Sequence, residues 1–163
     1  MPYSAFRRFG PRPRLNAEYG ICNVHVYYHE RGFTKARAED FATRISQPAI
    51  RVVIHEHDIP TPPNALFIGA LIRAEEARTI LSPIPHQVSY LFRPDYPESE
   101  GGDLTGRTIG VGYIAEYNDS RRGDRSRPGS VTSKHMRDLL NPTCTNAEFQ
   151  RLLYSLTLPG LTR

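Results

Sequence analysis

The fold is decided by residues 22–29, where apolar and polar side chains alternate. The stretch reads Cys22-Asn23-Val24-His25-Val26-Tyr27-Tyr28-His29. Because successive side chains of a β-strand point to opposite faces of a sheet, this period of two predicts a half-buried strand. Its even-numbered positions are expected to face the core and its odd-numbered, more polar positions to face away.

A helix and a second strand follow directly. Thr34 is a suitable N-cap, and the next apolar residues recur at helical spacing, at Ala38, Phe41, Ala42 and Ile45. Pro48 ends this helix. Residues 50–57 then include Val52, Val53 and Ile54, and such β-branched residues are typical of strands.

The connector of residues 58–64 contains three prolines, so it cannot hold a crossover helix. Strands two and three are therefore expected to be antiparallel or distant. The pattern continues with a strand at 65–71, a helix at 73–81 and a strand at 87–92. This βαββαβ order predicts an α+β fold, a ferredoxin-like sandwich with two helices on one face of the sheet. A small doubly wound α/β sheet is the alternative.

Four segments are expected along the chain. Residues 1–20 form an arginine-rich arm, 21–117 the α+β core, 118–130 a mobile linker and 131–163 a helical hairpin. Within the core, a further strand at 107–117 is expected to extend the sheet at an edge. In the hairpin, Thr145 and Glu148 match a capping box. The apolar stripe that follows cannot be buried by the hairpin alone, so it must dock on the uncovered sheet face or on another molecule.

Composition excludes several classes of protein. No run of about 18 apolar residues is present, and the first 20 residues lack an apolar stretch, so we expect neither a membrane span nor a secretory signal but a cytoplasmic chain. Cys22 and Cys144 lie far apart, which argues against a disulfide framework and a thiolate zinc site. The glycine-rich residues 105–112 lack the lysine of a phosphate-binding loop, and no cofactor is expected.

The histidines are the candidates for chemistry. His55 and His57 lie two positions apart on a strand, so both side chains share one face about 7 Å apart. With Asp58, Glu30 or His86 as a third ligand, they would form the metal site of a small hydrolase. In a ferredoxin-like sheet, a third strand would separate this pair from His25 and His29.

Charge suggests a different class of partner. The net charge is +4, and four arginines cluster near residue 120, at Arg121, Arg122, Arg125 and Arg127. Their spacing suits a phosphate backbone, so a nucleic-acid-binding protein is a second alternative to the favoured function.

The favoured function is a non-catalytic protein–protein interaction or assembly module, and no catalytic residue is assigned. Amphipathic and aromatic segments lie outside the core pattern, whereas no catalytic set converges. We expect a protein partner or a second copy of the chain, and no membrane. The candidate contact residues are Phe6, Phe9, Phe149, Leu152, Leu153 and Leu156.

Overall fold

The computed structural model describes residues 14–15, 17–57, 60–84, 86–94, 106–117 and 128–157. These residues form a mixed α/β structure. Its strands are β1 (Cys22–Tyr28), β2 (Ile50–Glu56), β3 (Ala65–Ile68), β4 (Tyr90–Phe92), β5 (Thr108–Tyr113) and β6 (Gly129–Ser130). Its helices are α1 (Lys35–Ile45), α2 (Ala74–Leu81), α3 (Ser133–Leu139) and α4 (Asn146–Thr157).

The strands form one sheet in the order β2-β1-β5-β3-β4-β6. Strand β1 runs parallel to both of its neighbours, β2 and β5, and β3 runs parallel to β4. The two groups meet where β5 pairs antiparallel with β3, and β6 pairs antiparallel with β4 at the far end. Two parallel βαβ units, β1-α1-β2 and β3-α2-β4, therefore run in opposite directions within the same sheet.

The opposite directions explain why both crossover helices pack on one face. Crossovers between parallel strands are right-handed. In the second unit, the strand direction is reversed, and so is the direction along the sheet from its first strand to its second. A two-fold axis normal to the sheet relates two such units, so their helices lie on the same side of the sheet. Accordingly, Val24 of β1, Phe41 of α1, Leu66 of β3 and Ile80 of α2 belong to one buried apolar cluster.

The α+β class is confirmed, but the ferredoxin-like arrangement is not. Strands β1 and β2 are direct parallel neighbours, whereas in a ferredoxin-like sheet they would be separated. The expectation that strands two and three are distant is correct, because two strands, β1 and β5, separate them. The described helices that enter the main cluster share one face, which also differs from a doubly wound sheet.

The prediction that the strand at 107–117 extends the sheet at an edge is wrong. β5 lies between β1 and β3, in the middle of the sheet. Its composition is consistent with this position, since Thr108, Ile109, Gly110 and Val111 are buried, as central strands require. Alternation along the sequence reports which face a side chain takes but not the strand's position in the sheet.

A buried ion pair fixes the start of β5 to α2. Arg107 Nη1 donates to Glu76 Oε1 at 2.7 Å, and Arg107 Nη2 contacts Glu76 Oε2 in the same fork. The guanidinium also donates to the carbonyls of Leu71 and Gly20. The hydrogen bonds that Arg107 donates to Glu76 raise the pKa of Arg107, so the guanidinium stays charged. One side chain thus joins the segments before β1, after β3 and at the start of β5.

The C-terminal helices complete the main core on the side of the sheet where α1 and α2 pack. They do not cover the opposite side, which we call the second face. Phe149 and Leu153 of α4 are fully buried in the same cluster as Val24 and Phe41. Helix α4 also lies against the short strand β6, because a Cβ at Gly129 would stand 1.9 Å from the carbonyl oxygen of Leu156. The hairpin stripe therefore docks within the chain, but on the helical side of the sheet.

Candidate functional site

Several predicted site residues lie outside the part of the chain that the structure describes. They are the arm residues Phe6 and Phe9, the possible metal ligand Asp58, and the arginine cluster Arg121, Arg122, Arg125 and Arg127. The described candidates fall into two groups, the histidines of the second sheet face and the apolar stripe of α4.

The neighbouring positions of β1 and β2 bring the two histidine pairs together. His25 Nδ1 and His55 Nε2 are 2.8 Å apart, so one ring nitrogen donates to the other. The expectation that a third strand separates these pairs is therefore wrong, because it rested on the ferredoxin-like strand order. Tyr27 stacks on His55 from the adjacent position, with ring centroids 4.7 Å apart.

A second histidine group lies around the backbone N–H and carbonyl of Gly112, at the carboxyl ends of β1 and β2. The Gly112 N–H donates to His86 Nε2 at 3.2 Å, and its carbonyl lies 2.6 Å from His29 Nε2. A carbonyl only accepts, so His29 carries its proton on Nε2. His57 lies beside His29, with ring centroids 5.1 Å apart.

Two of these histidines, His86 and His57, have a lowered pKa, which favours the neutral ring. Burial lowers the pKa of His86 to about 4, against the smaller opposing effect of its hydrogen bond to the Gln87 carbonyl. Burial also lowers the pKa of His57, and neighbouring His29 adds to the effect. Neutral imidazoles are potential metal ligands. Among the described residues, however, no three His, Cys, Asp or Glu side chains converge as a metal site requires.

The apolar stripe of α4 is not a surface in this structure. Phe149 and Leu153 are fully buried, Leu156 is nearly so, and Leu152 is partly buried against the same cluster. Among the described residues, the large apolar side chains that do face solvent are Tyr19, Ile21, Leu71 and Tyr154. The predicted partner residues on α4 and the exposed apolar residues of the described chain are thus different sets.

The sheet has one long edge, formed by β2. Cys22 N–H donates to the Ala49 carbonyl, and His57 N–H donates to the Tyr28 carbonyl. The backbone N–H and C=O groups of the odd-numbered residues in this segment therefore point toward β1. Backbone groups alternate along a strand, and the even-numbered groups therefore point outward. The Ile50 N–H is used by the Gln47 carbonyl, whereas Val52, Ile54 and Glu56 have no outward partner among the described residues.

Within the described residues, this β2 edge lacks several of the features that usually protect a strand edge. Proteins blunt exposed edges with proline, lysine, bulges or very short strands. Residues 50–56 contain neither proline nor lysine, and their pairing with β1 is uninterrupted over all seven positions. Charges stand only near the ends, at Arg51 and Glu56, with Val52, Val53 and Ile54 between them. The opposite edge, β6, is two residues long.

Comparison with known proteins adds no identity to this geometry: no family model, curated protein or solved structure matches the chain. The β2 edge therefore has to be interpreted from its own chemistry. In addition, no helix within the described ranges is long and apolar enough to cross a membrane.

Sequence reasoning missed the β2 edge for an identifiable reason. The run of β-branched residues was visible, but such a run fits a central strand equally well. The signal that distinguishes an edge is the strand order, and that depends on where β5 inserts.

Proposed function

We propose that this chain is a non-catalytic protein–protein interaction module that binds an extended polypeptide segment along the β2 edge. The observation that supports this function is the row of outward peptide groups at Val52, Ile54 and Glu56 that have no partner among the described residues. Such groups form main-chain hydrogen bonds with an added strand, which is an established way of binding peptides.

The side chains around the edge would supply selectivity. Val52 and Ile54 are half-buried and pack against the main apolar cluster, so an added strand would place its own apolar residues beside them. On the other face, Val53 and His55 would contact the alternate residues of that strand. We therefore expect the bound segment to be apolar on both faces at its centre.

The two alternative functions have weaker support. For the metal-dependent hydrolase, His55 Nε2 is engaged with His25, and the His57 ring packs beside His29. For nucleic-acid binding, the arginine cluster lies outside the described residues. Neither alternative is supported by a structural feature that spans as many residues as the β2 edge.

The experiment that tests the proposal uses displayed random peptides as the probe. Peptides selected on the wild-type chain are synthesised, and their affinities are measured by fluorescence anisotropy against Val52→Pro and Val52→Ala. Both variants lose the valine side chain, but only proline removes the outward N–H and places its ring at the edge. We expect Val52→Pro to weaken binding about tenfold more than Val52→Ala.

A control variant tests the other exposed apolar surface. Leu71 is 63% exposed and lies away from β2, so Leu71→Asp should leave peptide affinity unchanged. If selected peptides bind Val52→Pro as tightly as Val52→Ala, or lose affinity with Leu71→Asp instead, the β2 edge is not the binding site. Circular dichroism confirms that each variant is folded.

A further inference from the structure

We infer that the segment bound at the β2 edge is the β2 strand of a second copy of this chain, antiparallel and centred on Val53. This inference rests on the proposed function, because it uses the same edge. The two copies would be related by a two-fold axis normal to the sheet, and their sheets would join into one, with the helices of both copies on the same face.

The register follows from the direction of the peptide groups. In an antiparallel pair, a residue whose groups point outward must face another such residue. The backbone groups of Val52 and Ile54 both point outward, so Val52 of one copy can pair with Ile54 of the other. Val53 then lies opposite Val53 of the other copy, at the two-fold axis. Moving the centre by one residue, to Val52 or Ile54, also satisfies this rule but shortens the overlap at one end. The centre at Val53 pairs the whole of Ile50–Glu56 with itself.

The side chains are self-complementary in this register. Val52 faces Ile54 of the other copy on the helical face, and Val53 faces Val53 on the second face. Pairs of β-branched residues directly opposite each other stabilise antiparallel strands. Arg51 faces His55 and Ile50 faces Glu56, so neither two carboxylates nor two guanidinium groups stand opposite each other.

The backbone contribution is also defined. The Val52–Ile54 pair and its symmetry equivalent each exchange two main-chain hydrogen bonds, made by groups that otherwise have no partner among the described residues. The Ile50 N–H already donates to the Gln47 carbonyl, which limits pairing at that end of the strand. A strand pair of this length buries less than the roughly 1,200 Å² at the low end of specific interfaces, so we expect a weak dimer that depends on concentration.

Complementary charges at the axis provide the test. Val53 is half-buried and belongs to neither apolar cluster of the described residues, so it tolerates a long polar side chain. Val53→Lys and Val53→Glu each place like charges opposite each other in a self-pair, but opposite charges when the two variants are mixed. Val53→Thr is the matched control, since it keeps the β-branched shape without charge.

Sedimentation velocity over a concentration series measures the outcome, with circular dichroism confirming folding. We expect the wild-type chain and Val53→Thr to form dimers, each charged variant to dissociate about tenfold more readily, and the equimolar mixture to regain wild-type affinity. A wild-type chain that stays monomeric at millimolar concentration overturns the inference. So does a dimer that both charged variants leave intact, or a mixture of folded variants that remains monomeric.

The two proposals fail in different ways. If the wild-type chain is monomeric but the selected peptides still distinguish Val52→Pro from Val52→Ala, the edge binds another protein and only the second copy is excluded. If the peptides do not distinguish them, the proposed function itself is wrong.

Discussion

At the scale of the residue, the backbone of Gly112 contacts two imidazoles. Its N–H donates to His86 and its carbonyl accepts from His29, while His86 Nδ1 lies 2.9 Å from the Gln87 carbonyl. Both nitrogens of His86 are therefore used by the neutral ring, with the proton on Nδ1. Protonating this ring would leave an N–H of His86 facing the N–H of Gly112.

The lowered pKa of His86 predicts acid sensitivity. Its pKa falls from 6.5 to about 4 on folding, so the unfolded chain takes up this proton first as the pH decreases. The free energy of unfolding should therefore be highest above pH 6.5, decrease as the pH falls toward 4, and level off below that. The effect is at most about 3 kcal/mol.

Urea unfolding followed by circular dichroism, at about pH 7.5 and about pH 4.5, measures this dependence. His86→Gln should reduce the difference between the two pH values, although His57, whose pKa is also lowered, keeps part of it. His135→Gln is the control, because His135 lies on α3 in a capping box, where glutamine is accepted too. An equal pH dependence in wild type and His86→Gln would contradict the assignment.

At the scale of the element, β5 depends on a bulge at Gly112. Leu66 pairs with Val111 but Ala65 pairs with Tyr113, so Gly112 is an extra residue in the ladder. The bulge turns Tyr113 onto the second face, where its ring covers Gly110 and contacts Tyr27 and Phe92. Ile109 and Val111 are buried in the main cluster, whereas Tyr113 packs against the second, so the alternation of odd-numbered residues on one face ends at the bulge.

Gly112 in the bulge and Gly110 two positions before it should respond differently to alanine. Gly112 has φ +90°, and a Cβ there would stand 2.1 Å from the Tyr27 carbonyl oxygen, which belongs to the backbone of β1. At Gly110, the nearest atom is the Tyr113 ring, which can turn away. We expect Gly112→Ala to cost about 2 kcal/mol or more and Gly110→Ala distinctly less, measured by urea unfolding. Equal costs would mean that the bulge is not formed as described.

At the scale of the whole molecule, the C-terminal helices belong to the same core as the sheet. Phe149 is fully buried in the cluster that also includes residues of β1, α1 and α2, whereas Tyr154 on the same helix is 36% exposed. Stability of the described core is therefore shared among segments that are far apart in sequence. A destabilising substitution in α4 should therefore lower the stability of all these segments together.

Thermal unfolding tests this shared core. Phe149→Ala should lower the stability of the single transition by about 3–5 kcal/mol, because it leaves a cavity in the main cluster. Tyr154→Ala should change it by less than about 0.5 kcal/mol. If Phe149→Ala instead produces a separate early transition and leaves the main one unchanged, α4 is an appendage that folds on its own.

The sequence by itself determined most of the described elements, because their signals are local. Strand β6 is an exception, since Gly129 and Ser130 lie in the segment 118–130 that was predicted to be a linker. The alternation at Cys22–Tyr28, the stripe through Phe41 and the capping box at Thr145 each predict a strand or helix that the structure contains. The faces of these elements were also predictable, with β5 beyond Gly112 as the exception.

Only the tertiary structure decided how the elements are ordered. Alternation does not encode a strand's neighbours, and the insertion of β5 between β1 and β3 leaves β1 beside β2 and β2 at the edge. That order brings His25 to His55 and leaves the outward groups of Val52 and Ile54 without partners among the described residues. Both candidate features arise from contacts between segments about 30 or more residues apart, where the pattern of either segment alone carries no information about the other.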